Sequence, residues 1–76
     1  MDKEYDIGQL VLFHEQISDT NTLPVIGWIV NKYFDEDNKL LYTIEWTDGF
    51  CDNFYSQREV KVYITNFKRY ARSLHK

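Results

Sequence analysis

The run Ser56-Gln57-Arg58-Glu59 divides this chain into two parts that must fold differently. A serine that accepts a first-turn amide, with a glutamate three residues on that reaches back to the serine amide, is a capping box, and it starts a helix. Tyr55 precedes the cap and Val60 follows it by four residues, the spacing of a hydrophobic staple. At 100° per residue, Val60, Tyr63, Ile64, Phe67, Tyr70, Ala71 and Leu74 share one stripe roughly 120° wide, which suits a helix face packed on a core. Lys61, Lys68, Arg69, Arg72 and Lys76 fall together on one flank of that stripe. A helix over residues 56–74 is therefore predicted. The competing reading, a short strand over residues 60–64, alternates in polarity but leaves the cap without a purpose.

Before the cap the pattern is that of strands. Residues 7–14 carry the branched and aromatic side chains that strands favour. Residues 15–22 are polar, with a loop at 18–22. Pro24 opens the next strand, where a missing amide costs nothing, and residues 25–34 form its body. Gly27 inside it marks a bend or bulge. Asp35-Glu36-Asp37-Asn38 is a hairpin loop. Residues 40–46 alternate after Leu41, with Tyr42, Ile44 and Trp46 on one face. Asp48-Gly49 between apolar runs signals a second hairpin, and residues 50–55 return as the weakest of four strands, since Asp52 and Asn53 are poor strand formers.

Four strands in hairpin order followed by a helix point to one domain over residues 1–76. It is mainly β (α+β): a small antiparallel barrel of four to five strands, or a strongly bent sheet, over 7–55, with an amphipathic helix over 56–74. Thirteen of the 76 residues are Phe, Tyr or Trp, and rings of this size build a core where few residues are available. Phe13, Tyr42 and Phe54 are the expected strand contribution, and Tyr63, Phe67 and Tyr70 that of the helix. The mostly apolar run at 23–30 falls far short of the roughly 20 residues that span a bilayer, so no membrane role is expected. The acidic start Met1-Asp2-Lys3-Glu4-Tyr5-Asp6 lacks the apolar region of a signal peptide. A lone Cys51 allows no internal disulfide, which fits a reducing, cytoplasmic setting.

Charge is unevenly divided. Residues 1–56 hold three lysines against eleven acids, a net of −8; residues 57–76 hold six bases against Glu59, a net of +5. Such asymmetry marks an interaction patch or a basic helix lying on an acidic sheet.

The order of motifs resembles the Tudor-like, SH3-type barrels (the chromo/Tudor/KOW group). The pieces that carry the likeness are Ile7-Gly8-Gln9-Leu10-Val11, Ile26-Gly27-Trp28-Ile29-Val30, Tyr42-Thr43-Ile44-Glu45-Trp46-Thr47-Asp48-Gly49 and Tyr55-Ser56-Gln57-Arg58-Glu59-Val60. They span residues 7–60. The resemblance implies a non-catalytic binding module whose ligands are methylated peptides, other proteins or nucleic acid. The long basic helix departs from the minimal barrel.

Pairing the second and third strands around residues 35–38 sets Gly27 beside Trp46, with Trp28 close by, and the Asp48-Gly49 turn brings Phe50 to the same end. Trp28, Trp46 and Phe50 are thus the candidate ligand-binding residues, against the plainer reading that both tryptophans are core. Catalysis has no candidate, and neither a metal nor a cofactor is expected. His14-Glu15 lacks the second histidine of His-Glu-x-x-His. Cys51, His14 and His75 have no ligand spacing, and Cys51 reads as a small apolar filler. The acidic loop lacks the glycine and closing glutamate of a calcium site. Three functions compete: a module for a protein or peptide partner, a nucleic-acid or acidic-partner binder using Lys61, Lys68, Arg69, Arg72 and Lys76, and an assembly subunit or homo-oligomer built through the helix.

Overall fold

The structure, a computed structural model, describes residues 4–16 and 22–74, with the backbone alone described for 14–16, 22 and 23. Residues 1–3 of the acidic start, most of the expected polar loop, His75 and Lys76 lie outside the described residues. Four strands follow in chain order: β1 (Leu10–Gln16), β2 (Thr22–Phe34), β3 (Leu40–Trp46) and β4 (Cys51–Ser56). One helix among the described residues, α1 (Gln57–Ser73), follows β4. Each strand pairs antiparallel with the next, in the order β1-β2-β3-β4. Among the described residues no ladder joins β1 to β4, so the sheet stays open. α1 packs chiefly on β1 and also meets β3 and β4, so it touches both edge strands.

The two hairpins use one turn design. Asn38 N–H donates to Asp35 O at 3.0 Å while Asp35 N–H donates to Lys39 O at 3.0 Å. In the second hairpin Gly49 N–H donates to Trp46 O at 3.0 Å and Trp46 N–H to Phe50 O at 2.8 Å. The fourth turn residue has positive φ in both, 63° at Asn38 and 102° at Gly49. Asparagine and glycine are the residues that tolerate this region most readily. A carboxylate braces each turn: Asp35 Oδ1 accepts from Asp37 and Lys39 N–H, and Asp48 Oδ1 accepts from Phe50 N–H.

β1 begins three residues later than the sequence predicts, because Gln9 N–H closes a turn onto Asp6 O at 3.2 Å. The ladder nevertheless continues outward through Gly8 N–H to Ile29 O at 2.7 Å. β2 begins at Thr22 rather than at Pro24, which pairs with His14 where β3 has already ended. The irregularity expected at Gly27 lies instead between Ile29 and Asn31, where Val30 is the extra residue. It switches which residues share a face: Gly27 pairs with Trp46 and Ile29 with Ile44, but beyond the bulge Lys32 pairs with Tyr42.

The capping box forms as the sequence predicts. Glu59 N–H donates to Ser56 Oγ at 3.2 Å and Ser56 N–H to Glu59 Oε1 at 3.1 Å. Val60 and Ile64 are buried with Val11, Val25, Ile29, Tyr42, Ile44 and Trp46 in one core. The start of the apolar helix face therefore packs on the protein's own sheet, while Phe67, Tyr70 and Ala71 further along are half-buried and Leu74 at its end is exposed. Asn66 Nδ2 donates to Leu12 O at 3.3 Å, tying the helix to β1. Tyr42 is fully buried, and its hydroxyl accepts from Tyr5 N–H at 3.0 Å and donates to Gln57 Oε1. Lys32 holds the same N-terminal segment, donating to Tyr5 O and pairing with Glu4 at 3.3 Å. No helix among the described residues is long and apolar enough to cross a membrane.

Candidate functional site

A second bulge decides what lies at the β3–β4 end. Tyr42 pairs with Tyr55 and Ile44 with Asp52, so three β4 steps oppose two on β3. Simple alternation would put Phe50, Asp52 and Phe54 on one face. The extra residue instead aligns Phe50, Asp52 and Tyr55 with the core side of β3 and displaces Phe54, which is 73% exposed and not the core residue the sequence suggests. Cys51 is exposed as well, not an apolar filler.

Across β1 and β2, Phe13 pairs with Val25 and Val11 with Gly27, so Phe13 shares the face of Val25 and Gly27. α1 supplies Tyr63 from one border of its apolar stripe. These placements leave an open cleft of about 310 Å³ whose aromatic lining is Phe13, Trp46, Phe50, Tyr55 and Tyr63. Val25 and two carboxylates, Asp48 and Asp52, complete it.

Trp46 is the anchor, only 6% exposed. A Cβ placed on Gly27 would sit 2.6 Å from Trp46 Cε3 and 2.7 Å from Glu45 O, so the indole lies directly over a backbone that has no side chain. Its Nε1–H donates to the Tyr55 hydroxyl at 3.2 Å, and that hydroxyl donates to Asp52 Oδ2 at 3.2 Å. The ring centroids of Trp46, Tyr55 and Tyr63 stand 5.7–6.0 Å apart with planes near perpendicular, a favourable aromatic arrangement. Phe13 meets Tyr63 at 5.9 Å and Trp46 at 6.2 Å. Burial pushes the Tyr55 phenol above its ordinary pKa; the indole donor opposes this and the Asp52 charge adds to it. Burial raises Tyr63 too, with help from Glu59. Both phenols stay neutral near pH 7.

Of the three candidate residues, Trp46 and Phe50 meet in the cleft and Trp28 does not. Trp28 pairs with Leu10 and Glu45, one step from Gly27, and so belongs to the other face of the sheet. Strand alternation alone carries that signal: if Gly27 opposes Trp46, its neighbour must point away. Phe13, Tyr55 and Tyr63 join instead. Tyr63 is legible as a member of the helix's apolar stripe; Phe13 and Tyr55 depend on a β1–β2 register and a bulge that no local motif specifies.

Lys61, Lys68, Arg69 and Arg72 are exposed on α1, while Lys76 lies outside the described residues. Among the described residues, the ion pair within 4 Å is Lys32–Glu4, and none joins Lys61, Lys68, Arg69 or Arg72 to a described carboxylate of the sheet. Comparison with protein-family models, with curated proteins and with solved structures yields no match to this chain.

Proposed function

We propose that this chain is a small non-catalytic binding module of Tudor-like type that recognises a protein or peptide partner through the aromatic cleft. The observation that carries this reading is the pair of exposed rings at the cleft mouth: Phe50 is 67% exposed and Phe13 41%, beside a buried, hydrogen-bonded Trp46. Exposed rings beside a rigid aromatic floor are costly to leave in water and suit a partner's side chain. The barrel half of the reading draws on the bulged four-strand meander and on α1, which meets both edge strands where hydrogen bonding does not close the sheet. Titration of a ¹⁵N-labelled sample with extended peptides tests the binding half. Shifts at the Trp46 indole N–H and at Phe50 and Asp52 amides are expected; peptide binding that leaves these signals unmoved removes the cleft from the function.

A second reading rests on a separate observation, the exposed Lys61, Lys68, Arg69 and Arg72, which form no ion pair within 4 Å among the described residues. Four cations on one helix flank form a phosphate-binding footprint, opposed at long range by the acidic body. Binding to DNA or RNA that weakens steeply with salt, and weakens further in Lys68→Glu, supports it. Salt-independent or absent binding eliminates it.

A further inference from the structure

The reading of the cleft as a partner site leaves its ligand chemistry open, and the lining narrows it. Asp48 and Asp52 stand in a cleft otherwise walled by rings and Val25, and neither has a cationic partner within 4 Å among the described residues. Each carboxylate has one oxygen already engaged: Asp48 Oδ1 with Phe50 N–H, and Asp52 Oδ2 with the Tyr55 hydroxyl. Those bonds hold each group in place and leave the second oxygen of each for a ligand. The aromatic surface is not an enclosing box. Trp46 is backed by Gly27 and surrounded by Phe13, Tyr55 and Tyr63, so little of its surface is free. The open aromatic surface belongs mainly to Phe13 and Phe50.

We propose that the cleft receives an arginine side chain of the partner, its methylenes and guanidinium plane lying on Phe13 and Phe50 and its N–H groups facing Asp48 and Asp52. The choice follows from geometry and charge. A guanidinium is flat, stacks on a ring face, and carries five donors in a fork that can serve two carboxylates at once. A lysine ammonium offers charge without stacking. A quaternary ammonium gains from being surrounded by ring faces and has no N–H for either aspartate. An uncharged aliphatic chain leaves both carboxylates desolvated without compensation.

The test uses the whole chain and four blocked tripeptides, acetyl-Gly-Xaa-Gly-amide, in which Xaa is arginine, lysine, trimethyllysine or norleucine. Binding is followed by shifts of the Trp46 indole N–H and the Asp52 amide. The arginine peptide is expected to bind about tenfold more tightly than norleucine, with lysine between them. Asp48→Asn with Asp52→Asn keeps both acceptor oxygens for the internal bonds, so the fold is retained and most of that tenfold preference disappears. Phe50→Ala weakens arginine and norleucine alike. Trimethyllysine binding ahead of arginine, or norleucine equal to it, overturns the arginine assignment while leaving the cleft as a binding site. Longer peptides that bind without moving either signal overturn the cleft itself.

Discussion

Replacing Gly27 by alanine tests the packing on which the cleft stands. The new Cβ would come within 2.6 Å of Trp46 Cε3, 3.0 Å of Cδ2 and 2.7 Å of Glu45 O. Ordinary contacts of this kind lie at about 3.5–4.0 Å, so the crowding amounts to about 1 Å on three atoms. None of the three yields easily. Glu45 O is backbone in the β2–β3 ladder, and the indole is fixed by its bond to Tyr55 and by the rings around it. Overfilling a packed site costs about 1–3 kcal/mol, while Gly→Ala recovers about 0.4–1 kcal/mol from the unfolded chain. The net expectation is a loss of about 1–2 kcal/mol, or roughly 4–15 °C in Tm for a domain of this size. Urea unfolding followed by far-UV CD measures it, and the Trp46 indole N–H shift reports whether the ring has moved. Gly49→Ala is the contrast: no atom lies within 4 Å of its Cβ, so its cost arises from a φ of 102° and leaves the indole signal in place. Gly27→Ala combined with Trp46→Phe should be non-additive by more than about 0.5 kcal/mol, as for residues in contact. A Gly27→Ala protein as stable as the parent, with the indole unmoved, refutes the argument.

Three further outcomes follow from the structure. Ser56→Ala removes the acceptor for Glu59 N–H and should cost about 1 kcal/mol with partial loss of helical CD; an unchanged urea midpoint would show the cap contributes nothing. Tyr42→Phe strips a buried hydroxyl from between Tyr5 N–H and Gln57, for an expected loss of about 1–2 kcal/mol, read by thermal melting. Alkaline pH should destabilise the fold through Tyr42, Tyr55 and Tyr63, whose pKa values burial raises. Unfolded phenols ionise near pH 10 and folded ones later, so this stability is complete below about pH 10 and is lost as pH climbs beyond it. Urea midpoints that hold level to pH 11, with all phenols ionising together by absorbance, would contradict that assignment.

What the sequence made legible was local. Ser56 and Glu59 lie three residues apart, and each hairpin turn is specified by a handful of neighbours, so caps and turns could be read directly. Counting back from Asp35-Glu36-Asp37-Asn38 also set Gly27 opposite Trp46, but the hairpin itself starts one residue out of that count, with Phe34 opposite Leu40, and the extra residue Val30 restores the match. The bulges were not legible. Val30 and the Asn53–Phe54 region gain or lose pairing according to what the neighbouring strand and helix present, and each bulge exchanges the two faces of everything beyond it. Phe54 is turned out of the core for that reason. Trp28 is next to Gly27 along β2, but that single step carries its side chain to the opposite face.

Tyr63 is the one cleft residue that α1 provides, and α1 is also the element that reaches across from β1 to β4. A folding chain therefore has an incomplete cleft until α1 docks on the sheet. The same dependence persists in the mature protein. A ligand that leans on Tyr63 binds the docked helix and not the detached one, so occupancy holds the helix down by mass action. By reciprocity, a molecule on the outer, basic flank raises affinity at the cleft only to the extent that it binds the docked helix more tightly than the detached one. Docking of α1 is thus the equilibrium through which the outer flank of the helix and the cleft can influence each other.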